Sequence, residues 1–145
     1  MRSLESLLQN VLSAKQYYKK KLENIISLPV LEINFFDIRI ILLKARELFN
    51  KGIKYFYKKQ FSRALKLFLE SSKLNPENPL VYWNIGKLKA ILNANKNEII
   101  KNYQKTLSLI DDKTKKILKL ELNNVFEKRK SKKFFSPIPE NYFKK

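Results

Sequence analysis

The 145-residue chain contains no cysteine and no histidine. Disulfides, thiolate metal sites, cysteine nucleophiles and imidazole acid–base chemistry are removed together, and with them most common catalytic and zinc-binding arrangements. Glycine occurs only twice, at Gly52 and Gly86. The chain therefore lacks the punctuation that sheet-rich folds need, and no glycine-rich phosphate loop can be built. Long apolar runs are missing as well. Even residues 38–43 are interrupted by Arg39 and closed by Lys44, far short of the roughly 20 residues of a spanning helix. A secretory signal is disfavoured because Glu5, Gln9 and Asn10 break any apolar region and lysines 19–21 follow where cleavage would fall. The expectation is a cytoplasmic all-α protein with no metal, no cofactor, no small-molecule substrate and no catalytic residues. A membrane-associated or periplasmic location is the alternative if a signal or anchor precedes Met1.

What the chain does contain is helical periodicity. Leu4, Leu8, Val11, Tyr18, Leu22 and Ile25 fall at alternating four- and three-residue spacing, with Lys15 in one slot, and Leu7, Leu12 and Ile26 widen the stripe. This predicts an N-terminal amphipathic helix within residues 1–33, ended by Pro29. A second helix is expected to begin between Asn34 and Asp37 and to run to near Lys58. Towards the other end, Ile117, Leu118, Leu122, Val125 and Phe126 share a face opposite Lys115, Lys116, Lys119 and Glu121. That pattern predicts a capping helix over 113–127. Beyond it lie Lys128, Arg129, Lys130, Lys132 and Lys133, then Phe134, Phe135, Pro137, Pro139, Tyr142 and Phe143 with no period. Residues 128–145 therefore read as a flexible basic tail with aromatic anchors.

Between these flanks the two glycines stand 34 positions apart. Leu48, Gly52, Tyr55, Phe61, Ala64, Phe68 and Pro76 surround the first, and Tyr82, Ile85 and Gly86 reopen the pattern in register after a connector at residues 75–79. Small Gly52 and Ala64 would let two helices cross closely, with Tyr55 and Phe68 filling the space beside them. Asn78 suits a helix N-cap and Pro79 a first helical position. The pattern resembles the tetratricopeptide repeat. Departures are Lys51 and Lys89 where leucine and tyrosine are usual, Asp111 where a proline is usual, and one extra residue in the turn at 93–97. Ile99, Tyr103, Thr106 and Leu107 replace the usual small and aromatic set of the second repeat.

The resemblance implies a right-handed superhelical stack of antiparallel helix pairs, about two motifs at 45–78 and 79–112. It also implies a concave groove formed by the first helix of each motif. Groove positions would be Phe49, Ile53 and Phe56 and, 34 later, Trp83, Lys87 and Ala90, a mostly aromatic and aliphatic surface. Members that clamp acidic C-terminal peptides need polar groups where Phe49, Ile53 and Trp83 stand. The expected role is a non-catalytic adaptor or scaffold that binds a partner helix or extended peptide, with Trp83 as the hot spot. The chain's own N-terminal helix is the alternative occupant.

Asp111 and Asp112, the only adjacent carboxylates, read as a helix N-cap rather than a metal or acid–base pair. The net charge of +18 opens a second functional class, binding of nucleic acid or an anionic membrane surface through the lysine-rich C-terminal region. Lysine supplies that charge far more than arginine, so bidentate base readout is not expected.

Overall fold

The computed structural model describes residues 35–143. The N-terminal helix expected within 1–33 lies outside them. Contacts divide the chain after Leu43, and the site described below lies within residues 44–143. The described residues form six α-helices and no strand: α1 (Phe35–Tyr57), α2 (Phe61–Leu74), α3 (Pro79–Ile91), α4 (Lys96–Leu107), α5 (Asp112–Asn123) and α6 (Val125–Lys128). A 3₁₀ turn, Lys132–Phe135, follows. None of these helices is long and apolar enough to cross a membrane.

Local chemistry sets the boundaries. Asn78 accepts a hydrogen bond from the Leu80 N–H at 3.0 Å, and Pro79 opens α3 where no intrahelical N–H is required. Asn95 accepts from Asn97 N–H at 2.8 Å to start α4, and Asp111 from Thr114 N–H at 2.8 Å to start α5. That backbone N–H holds the Asp111 carboxyl below the usual carboxylate range.

α1 and α3 end in the same way. Lys59 and Asn93, 34 positions apart, adopt the left-handed conformation with φ of 60° and 58°. Gln60 N–H bonds back to Tyr55 O at 2.9 Å, and Ala94 N–H to Lys89 O at 2.8 Å. Each is the six-residue closure of a Schellman motif, which reverses the chain within three residues in the first pair and four in the second.

The glycines occupy matching notches. A Cβ built on Gly52 would sit 2.9 Å from the Phe68 ring, and one on Gly86 would sit 2.9 Å from the Tyr103 ring. Phe68 follows its glycine by 16 positions and Tyr103 by 17, which locates the extra residue in the second turn. Phe49 also meets Phe68 edge-on at 5.4 Å, and Ser71 Oγ donates to Ala45 O at 2.7 Å, so α2 runs antiparallel to the part of α1 from Ala45 onward.

α3 lies at the centre. Val81, Trp83, Asn84, Ile85, Gly86, Lys87, Leu88 and Ala90 are all buried. A helix covered on every side needs partners on every side. α2 and α4 flank it, and α6 with the 3₁₀ turn supplies a third layer.

That third layer corrects two expectations. The helix foreseen over 113–127 is broken at Asn124 into α5 and α6. Within the flexible tail foreseen over 128–145, residues 134–142 are anchored to the fold: Phe134 is 3% exposed and Ile138 8%. The physical reason lies in its prolines. Pro137 and Pro139 erase any helical period, yet they fix their own φ and confine Ser136 and Ile138 to extended backbone. Such a segment loses little further entropy on docking, so a few aromatic anchors suffice to hold it.

Candidate functional site

Of the six residues expected to line a groove, Phe49 and Phe56 meet Phe68 and Phe61 of α2, and Ile53, Trp83 and Lys87 meet residues 134–143, called the strap below. Phe49, Phe56, Trp83, Lys87 and Ala90 are buried, and Ile53 is half-buried. Tyr142 meets Trp83 edge-on at 5.1 Å. Phe134 lies 5.1 Å from the Lys87 ammonium. Phe56 contacts Phe61 at 5.7 Å, and Phe61 contacts Phe135 at 6.0 Å. Ile53 lines a cleft of about 390 Å³ with Arg46, Asn50, Pro139, Glu140 and Asn141.

Two asparagines hold the strap. Asn84 is buried, and its Oδ1 accepts the Ile138 N–H at 2.7 Å while its Nδ2 donates to Ile138 O at 2.9 Å. The second Nδ2 proton goes to Leu80 O at 2.9 Å. Asn50, 34 positions earlier, donates through Nδ2 to Glu140 at 3.2 Å. Arg46 pairs with Glu140 at 2.5 Å, but the Arg46 side chain is 60% exposed and that of Glu140 36%, so solvent screens the pair and it adds little stability.

Beneath the strap lies a small ionic cluster. Glu121 accepts the Trp83 indole N–H and stands 3.9 Å from Lys87 Nζ. Burial pushes Lys87 below the ordinary lysine range; the Glu121 charge opposes the shift, and Lys128 adds to it. The Tyr103 hydroxyl is buried without a hydrogen-bond partner among the described residues. Its burial, reinforced by the Glu121 charge, pushes the phenol well above its usual range.

The basic residues expected to form a loose patch are individually placed. Arg129 is half-buried, stacks over Phe126 at 5.5 Å and donates to Asn93 at 3.0 Å. Lys130 pairs with Glu127 at 3.6 Å. Lys128, Lys132 and Lys133 are exposed.

Sequence reasoning missed Asn50, Asn84, Glu121 and the strap. A signal for the first two was present: aromatic-Asn-x-Gly occurs as Phe49-Asn50-Lys51-Gly52 and again as Trp83-Asn84-Ile85-Gly86. An amide inside an otherwise apolar helix must find a partner. No family model, curated protein or solved structure matches the chain. Facing the strap, the Asn84 amide meets the Ile138 main chain, and the Asn50 amide meets the Glu140 carboxylate.

Proposed function

We propose that this chain is a non-catalytic adaptor of tetratricopeptide-like construction, which binds another protein through the face of α1 and α3. The observation that carries the reading is the Asn84 grip on Ile138, because this face already holds a peptide segment by its main chain. The recurrence of a glycine notch and a Schellman turn 34 positions apart supports the repeat construction. Stacked repeats of this type expose one helix of each pair along a common surface.

The test is to replace Ile53, at the rim of the cleft, by a photo-reactive residue and to irradiate the full chain in extract of its source cells. A partner on this face gives discrete protein adducts at Ile53 that survive high salt. The same reagent at exposed Lys116 does not. Binding dominated by exposed lysines, including Lys132 and Lys133, would instead give adducts lost in high salt at both positions. That outcome would transfer the main role to an anionic ligand.

A further inference from the structure

The strap itself specifies what the groove accepts. Proline carries no N–H, so within residues 137–139 the Ile138 N–H is the single main-chain donor. That donor is the one Asn84 takes. Ile138 precedes a proline and is confined to extended backbone, where a residue's own N–H and C=O point to the same side. One primary amide can then satisfy both groups. A helical ligand could not be held in this way, because its N–H and C=O groups are already paired along its axis.

The second asparagine meets the strap further on. Asn50 stands 34 positions before Asn84 and meets Glu140, two residues beyond Ile138. The strap turns here, since the Tyr142 N–H bonds back to Pro139 O at 3.0 Å, and Asn50 meets the Glu140 side chain where Asn84 meets main chain. Phe134 against Lys87 and Tyr142 against Trp83 anchor the two ends.

We infer that the groove recognises a proline-bracketed segment of a partner protein that is extended at its central residue and turns back after the second proline. The segment has an aromatic residue, Pro-Ile-Pro beginning three positions later, a carboxylate next and an aromatic two positions after that. The chain's own strap is the intramolecular occupant that such a segment displaces. This inference rests on the adaptor reading and narrows its ligand from any helix or peptide to this class. A tethered occupant competes at high effective concentration, so the intact protein binds a free segment weakly until the strap is loosened.

The probe is a fluorescent peptide with the sequence of residues 131–143, beside the same peptide N-methylated at the nitrogen equivalent to Ile138. Full-length protein carrying Phe134→Ala and Tyr142→Ala together should bind the unmodified peptide at least about tenfold more tightly than wild type does. N-methylation, which removes the single donor, should weaken that binding about tenfold or more. Equal binding of the two peptides overturns the inference. So does absence of binding to a double variant that still melts cooperatively. Should the double variant not fold, wild type with excess unlabelled peptide serves instead. The Ile138 amide should then exchange faster as the peptide takes Asn84, and an unchanged rate overturns the proposal. Adducts at Ile53 that persist while the peptide fails to bind overturn this ligand class and leave the adaptor reading standing.

Discussion

The α1/α2 and α3/α4 pairs share a frame and differ in almost everything laid over it. Both have a glycine notch filled by an aromatic ring and a left-handed residue closing the first helix. Yet Lys51, Lys54 and Tyr57 on α1 are exposed, whereas Ile85 and Leu88, which follow the first two by 34, are buried. The frame depends on backbone requirements that only particular residues meet: no Cβ at a close crossing, and tolerance of positive φ at a turn. The remaining positions are set by what packs next to each helix. α3 has neighbours on every side, so it is apolar nearly all round.

Breaking the notches should give the largest effects and show how far they are equivalent. Gly86→Val should cost about 3 kcal/mol or somewhat more, because its branched side chain meets the Tyr103 ring in a helix that cannot shift. Gly52→Val meets Phe68 in the same way, but α1 has an exposed side and can yield, so roughly 1–3 kcal/mol is expected. Denaturant midpoints at unchanged slope measure both. Equal losses would show that burial of the helix does not govern the cost.

The asparagines should differ next. Asn84→Leu leaves the buried Ile138 N–H and C=O without partners and should cost about 2–3 kcal/mol. Asn50→Leu removes one exposed contact to Glu140 and should stay within about 0.5 kcal/mol. Thermal melts of the two variants, with amide exchange at Ile138, would reveal whether the strap depends on one asparagine or both.

A pH series sharpens the contrast, since Ile53 and Phe68 occupy in the first pair the places that Lys87 and Tyr103 hold in the second. With Lys87 lowered in the folded state and the unfolded lysine near 10.5, the unfolded chain binds more protons between those values. Its contribution makes stability rise with pH through that window, and the penalty is gone above it. Tyr103 acts in the opposite sense. Its phenol is raised, so the unfolded tyrosine ionises first and its contribution to stability falls once pH passes 10.0. Melting curves from about pH 8 to about pH 11 should lose the rise in Lys87→Met and the fall in Tyr103→Phe. At neutral pH, Tyr103→Phe should change stability by no more than about 1 kcal/mol, because the lost hydroxyl has no partner.

The turns should show the smallest difference. Lys59→Gly relieves a left-handed lysine and should stabilise by about 0.5–1 kcal/mol. Asn93→Gly should be near neutral, because asparagine tolerates that conformation and its side chain accepts from Arg129. A gain at Asn93 as large as at Lys59 would mean that the Arg129 contact contributes nothing.

What was legible in the sequence was whatever a backbone requirement or an apolar period announces. Gly52 and Gly86 marked crossings, Asn78 and Pro79 marked a helix start, and Asp111 marked another. The surface around Trp83 was legible as an apolar face in want of a cover, for which the N-terminal helix was the alternative to a partner, but not as one met by residues 134–143. Residues 134–143 carry no period because a proline segment between two turns has none to show, so their aromatics looked like anchors without a dock. Asn84 was passed over because a polar side chain in a helix is ordinarily read as surface. Its burial depends on Ile138, 54 positions away, a pairing that local patterns do not carry.

Trp83 also gives the protein a built-in optical gauge. It is the single tryptophan of the chain, 2% exposed, with its indole N–H on Glu121 and its ring against Tyr142. Departure of the strap would remove Tyr142 and admit water to the indole, moving its emission to longer wavelength without any label. Strap opening could therefore be followed on a stopped-flow timescale in the wild-type chain, separating its rate from that of global unfolding.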